Sequence, residues 1–325
     1  MLNYDEFKDV VTEKFPEYFP EEYRNYEMDV HTVYRTNEIL DGISFRRPDQ
    51  AIAPTVYIQD MYRDYRSCNN LDDVMQRTAE TYVEKTQSAD MDISLFDQVP
   101  TDRIYMTLIN AADNAELLAD SPHREFQDLA ITYRILVSRN DAGMMSTRIN
   151  SSLAARYNLT EPDLYAIAYE NTERLFPSVV CPMNDILRAL MESDNYSDAM
   201  IDEVLEDNNL YVVTNNQQIS GATAVLYEEN LQQIADTYGC DLYVIPSSIH
   251  EMLVLPETDT SAEFVDQLAE IVCEVNKTAV KESDRLSNQV YKYDNKAREL
   301  SIVSNSPDQI KDQKREPVKM PGRTR

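Results

Sequence analysis

The tightest constraint on the fold lies between Asp241 and Pro256 (DLYVIPSSIHEMLVLP). Two runs there, Leu242-Tyr243-Val244-Ile245 and Met252-Leu253-Val254-Leu255, are apolar on both faces. As strands they need cover on either side, so they belong at the centre of a sheet. The polar segment between them, Pro246 to Glu251, reads as a hairpin turn. The cover has its own signals. Leu210 to Thr214 reads as a further strand and Glu228 to Tyr238 as a helix, with Gly239 suited to the left-handed residue that closes it. A second helix, Ser261 to Asn276, follows a Thr260/Glu263 capping box and carries Phe264, Leu268, Ile271, Val272 and Val275 on its inner side. The result is a β-α-β-β-α unit.

The N-terminal half reads as an antiparallel sheet with helices. Asp5 to Phe15 has helical spacing before Pro16. Met28 to Tyr34 alternates with period two, and Ile43 to Phe45 and Thr55 to Ile58 are its expected partners. Asn70 caps a helix to about Lys85 that should lie on this sheet, with Val74, Met75, Ala79 and Tyr82 facing inward. Ile104 to Leu118 reads as helical in pieces, Phe126 to Val137 as one long strand and Met145 to Ile149 as its neighbour. Two helices come next, the second with a Thr160/Asp163 capping box and an end at Pro177. The expected fold is therefore α+β. Its parts are an N-terminal antiparallel part over 1–140, a C-terminal α/β part over 141–303 (or one continuous unit, 1–303) and a disordered basic tail over 304–325. That tail holds six basic and three acidic side chains.

Charge and rare residues narrow the chemistry. With 58 acidic and 30 basic side chains the formal net charge is −28, which repels phosphate backbones and anionic lipid and makes direct nucleic-acid binding and membrane association unexpected. Solubility explains such a balance, and imitation of a nucleic acid is the sharper alternative. The five glycines are too dispersed for a phosphate-cradling loop, which disfavours the common nucleotide folds. The four cysteines, Cys68, Cys181, Cys240 and Cys273, form no C-x-x-C pair and read as buried thiols of a reducing compartment. No apolar run approaches the roughly 18–20 residues that span a bilayer, and the polar, acidic start is unlike a secretory leader, so the expected location is the cytoplasm.

Three groups of residues are candidates for function. Ser247, Ser248, His250 and Glu251 supply nucleophile, base and orienter types, but residues so close at a strand entry point to alternate faces and cannot all converge. A triad would need distant partners, and a hairpin turn with serine side chains bonding its backbone is the plainer reading. His250-Glu251 opens like H-E-x-x-H, yet Val254 stands where the second histidine belongs, so no metal site is read there. His123 and Arg124 form a positive spot that could take an anion or simply pair with a carboxylate. Asn215 and Gly221 lie between a strand end and a helix, where open sheets often bind ligands. No cofactor is implied.

Four stretches, Ser121 to Val137 (SPHREFQDLAITYRILV), Leu210 to Tyr227 (LYVVTNNQQISGATAVLY), Asp241 to Pro256 and Leu286 to Asp294 (LSNQVYKYD), together resemble the bacterial family catalogued as domain of unknown function 5688. Members typically carry Pro-Gly where this chain has Glu228-Glu229. The resemblance implies a bacterial, cytoplasmic protein and assigns no catalytic residue. The leading expectation is a non-enzymatic binding or regulatory module that recognises another protein. The alternatives are an enzyme whose site gathers Ser248, His250 and Glu251, and an acidic inhibitor that imitates nucleic acid. Oligomeric state stays open.

Overall fold

A computed structural model describes residues 1–46, 54–88, 98–140, 143–193, 205 and 209–306. The contacts divide the chain into two compact units, Met1–Asp97 and Gln98–Arg325. The boundary expected at 140/141 falls instead between two strands that pair with each other (Arg139↔Met144, Asn140↔Gly143). The fold is α+β, and among the described residues every strand pairs antiparallel.

The first unit begins with α1 (Tyr4–Lys14), fixed by a capping box between Asn3 and Glu6. Strands β1 (Glu27–Arg35), β2 (Glu38–Arg46) and β3 (Thr55–Tyr57) form a sheet in that order. Ile58 does not continue β3 as its sequence context suggests. It opens α2 (Ile58–Cys68), where Ile58, Met61 and Tyr65 are buried at helical spacing. Helix α3 (Leu71–Ser88) starts where Asn70 accepts from the Asp73 amide (3.3 Å). Val74, Met75, Ala79 and Tyr82 of α3 pack with Ile43 and Phe45 of β2 and with Phe7, Phe15 and Phe19 in one core. The Phe45 amide donates to the Tyr82 hydroxyl (3.1 Å), so the ring is buried without an orphaned polar atom.

The second unit holds two sheets. In the four-stranded one, β4 (Ile104–Asn110) and β5 (His123–Phe126) flank β6 (Leu129–Asn140), and β7 (Gly143–Arg148) pairs further along β6. Two stretches here differ from expectation. Ile104 to Asn110 is a strand, not a helix, because all seven residues are buried and a strand covered on both faces loses the alternation that would announce it. Only α4 (Ala115–Ala119) is helical in that stretch. Phe126 to Val137 is not one strand, since Gln127 takes a left-handed turn (φ 59°) and separates β5 from β6.

Helices α5 (Ser151–Arg156) and α6 (Glu161–Leu175) follow, the latter with the expected Thr160/Asp163 box. The chain continues through β8 (Ser178–Pro182), α7 (Met183–Ser193), β9 (Tyr211–Asn215), α8 (Glu228–Tyr238), β10 (Leu242–Ser248), β11 (Glu251–Pro256), α9 (Ala262–Thr278), β12 (Tyr291–Asp294) and β13 (Glu299–Ile302). The six-stranded sheet runs β13-β12-β10-β11-β9-β8, which puts the two apolar strands β10 and β11 at its centre as their composition requires. Gly239 closes α8 at φ 66°. The cap of α9 is Ser261, whose hydroxyl accepts from Phe264, rather than Thr260. Ser304 and Ser306 bond Gln289 and so belong to the fold, and the rest of the expected tail, 307–325, lies outside the described residues. The thiols are less buried than expected: Cys68 is exposed and Cys181, Cys240 and Cys273 are partly so, all unpaired.

Candidate functional site

The hairpin between β10 and β11 turns at Ile249 and His250, with Ser248 paired to Glu251 and the ladder shifted between Pro246 and Ser248. Three hydrogen bonds tie the backbone of this turn to its surroundings. Ala222 donates to the Ile249 carbonyl (3.2 Å), Ile249 donates to the Asp284 carbonyl (2.8 Å), and the Thr214 hydroxyl donates to the His250 carbonyl (2.7 Å). Gly221 sits inside the contact. A Cβ added to it would lie 2.4 Å from the His250 carbonyl oxygen, 2.3 Å from Thr214 Oγ1 and 2.8 Å from the Asn215 nitrogen, so only glycine lets these backbones approach.

Asn215, almost wholly buried, shapes the loop that follows β9. Its side-chain oxygen accepts from the amides of Gln217 (3.0 Å) and Ile219 (3.4 Å), and its Nδ2 donates to the Ile219 carbonyl (2.9 Å). Gln218 and Ser220 are both left-handed (φ 53° and 51°), a conformation that surrounding contacts must enforce on non-glycine residues. Asn216, Gln217 and Gln218 project into solvent at the tip.

The loop returns to the hairpin through one bond, from the Ser220 amide to His250 Nδ1 (3.2 Å). A backbone amide can only donate, so Nδ1 is an acceptor and the neutral imidazole carries its proton on Nε2. Nε2 faces Asp284 Oδ1 at 3.8 Å, beyond hydrogen-bond reach, and Asp284 Oδ1 accepts instead from the Ser283 hydroxyl (2.9 Å). The serines turn elsewhere. Ser248 Oγ accepts from the His250 amide (3.1 Å), and Ser247 Oγ donates to Glu251 Oε1 (3.0 Å). The structure thus gathers Asn215, Gly221, Ser248 and His250 in one corner, with Ser247 bonded to Glu251 beside it, and adds Ser220 and Asp284.

His123 and Arg124 have their partners elsewhere. His123 Nδ1 bonds the Ser121 carbonyl (2.8 Å). Arg124 makes a two-pronged bond to Glu161 (3.0 and 3.1 Å) and stacks 3.6 Å over the Tyr165 ring. Tyr133 also donates to Glu161 (2.5 Å). Burial works to raise the Glu161 carboxyl, but the bonds from Arg124 and Tyr133 outweigh it and hold the group below the usual carboxylate range. Burial first, then the bond to Glu161, pushes the Tyr133 phenol well up.

A second polar cluster carries no signal in the sequence. Asn110, at the end of β4 and wholly buried, donates to the Leu286 carbonyl (3.1 Å) and accepts from the Asp113 amide (2.8 Å). Asp128 accepts from Ser287 (2.6 Å) and Tyr291 (2.5 Å), and Asn276 of α9 donates to the Ser287 carbonyl (2.9 Å) and to Asn288 (3.0 Å). These bonds fasten the β5–β6 turn and the end of β4 to the start of β12. Among the described residues no group of three His, Cys, Asp or Glu side chains is placed to hold a metal, and no helix is long and apolar enough to cross a membrane.

The model for a family of unknown function, DUF5688, matches residues 4–295. The chain belongs to that family. No curated protein and no solved structure matches it. In this DUF5688 protein, Leu210 to Tyr227 and Asp241 to Pro256 build the His250 corner, while Leu286 to Asp294 and Asp128, from Ser121 to Val137, build the second polar cluster.

Proposed function

We propose that the protein is a non-enzymatic recognition module that binds another protein through the His250 corner. One observation carries the reading: His250 Nδ1, the nitrogen that holds the lone pair when the neutral ring carries its proton on Nε2, is engaged by the Ser220 amide, so the ring offers no free basic nitrogen. The neighbouring hydroxyls bond a carboxylate and a backbone amide instead of the imidazole. What these bonds achieve is a loop held in one conformation, with Asn216, Gln217 and Gln218 exposed at its tip. A polar surface fixed in advance loses little conformational freedom on binding, which favours specific recognition.

The test is affinity capture from native bacterial lysate at moderate salt, using the full chain beside the Gln217→Lys, Gln218→Lys double variant. The wild-type chain is expected to retain one stoichiometric partner that the double variant loses. Repeated failure to retain a partner, or equal retention by both, ends the proposal.

A further inference from the structure

Strand β1 is an edge: among the described residues it pairs with β2 alone. The ladder between them runs nine pairs, from Glu27↔Arg46 to Arg35↔Glu38, without a register shift. Edges of this length are ordinarily blunted by charged side chains, lysine above all, by proline or by a bulge; β1 (EMDVHTVYR) has no lysine, proline or bulge, and its charges, Glu27, Asp29 and Arg35, alternate onto the face opposite Val30 and Tyr34. Apolar surface is also left open on the same hairpin. Val30 (36% exposed), Tyr34 (37%) and Ile39 (42%) are three of the nine large apolar side chains exposed among the described residues. Register places them with the core: Met28 lies opposite Phe45, Val30 opposite Ile43 and Tyr34 opposite Ile39. They therefore share the face that carries Ile43 and Phe45, at the margin of what the helices cover.

From this edge we infer that β1 pairs antiparallel with β1 of a second copy, joining two three-stranded sheets into one of six strands. A two-fold axis through His31 is the only register that pairs all nine residues of both strands. It sets Glu27 opposite Arg35 at each end, Met28 opposite Tyr34 and Val30 opposite Thr32. The charges at the strand's two ends are thus complementary, while Asp29 lies opposite Val33 and His31 opposite its own copy, and the exposed Val30 and Tyr34 are covered by the partner's Thr32 and Met28 positions. The contact satisfies the free backbone groups that a solitary edge leaves to water. The inference is independent of the recognition role assigned to the His250 corner.

Sedimentation velocity on the full chain at physiological salt tests it. The wild-type protein is expected to dimerise. Arg35→Glu should weaken the dimer about tenfold or more, because two cross-strand charge pairs turn from attractive to repulsive. Adding Glu27→Arg to that variant should restore the dimer. Val30→Lys, with circular dichroism to confirm that the unit stays folded, should also dissociate it. A monomeric wild type, a dimer indifferent to Arg35→Glu and Val30→Lys, or a double charge swap that fails to reassociate would each overturn the inference.

Discussion

Gly221 is the position at which the His250 corner tolerates least. Alanine there would press its methyl group against backbone atoms of His250 and Asn215, which cannot swing aside as a side-chain tip can. Gly221→Ala is therefore expected to cost about 1–3 kcal/mol or more, read as a lower denaturant midpoint for the second unit. A wild-type midpoint would mean that the close approach is not real. Glu161 makes a pH-dependent contribution. Its folded pKa lies below the ordinary value, so its stabilisation is complete above about pH 4.3 and fades as pH falls through the folded value. Glu161→Gln should lower stability at neutral pH by about 1–3 kcal/mol, with the gap to wild type closing under acid, as thermal melts across pH 3–7 would show. Individual site residues are legible in part. Asn215, Gly221 and His250 stand out by type and position, but Ser220, although next to Gly221 in the chain, meets His250 only through the fold, and Asp284 comes from a separate segment.

At the scale of elements, legibility follows one-sided burial. Strand β1 is evident from its period of two, and α6 from its capping box and from an inner face of Leu164, Ala168 and Thr172 set against an exposed outer one. Strand β4 is hidden because it is buried throughout, and α2 because its short apolar stripe follows a strand without a capping side chain. The outer edge of β4 also needs partners, since β6 takes only one side. Helix α6 supplies them: Thr172 Oγ1 accepts from the Met106 amide (2.9 Å) while donating to the Ala168 carbonyl (2.7 Å), and Asn171 donates to the Ile104 carbonyl (3.0 Å). Two side chains of a helix thereby close an edge that would otherwise be a pairing hazard. Thr172→Val, nearly equal in shape, should leave the Met106 amide orphaned and cost about 1–3 kcal/mol. Hydrogen exchange at Met106 checks this directly, and unchanged protection there would contradict it.

For the whole molecule, the excess of carboxylates matters most. A net charge of −28 makes the folded chain repel itself, so raising salt from low to physiological ionic strength should raise the melting temperature as the Debye length contracts to about 8 Å. A melting temperature that falls or stays level with added salt would show that internal ion pairs outweigh the repulsion. The role assigned to the molecule, in contrast, depends on a single ring. If the His250 imidazole fixes a recognition loop, it must accept from the Ser220 amide and hold its proton on the other nitrogen. A long-range proton–nitrogen NMR correlation of the His250 ring at neutral pH reads this state. A bare Nδ1 and a protonated Nε2 are the predicted result, and a ring with Nδ1 protonated in the folded protein would contradict it.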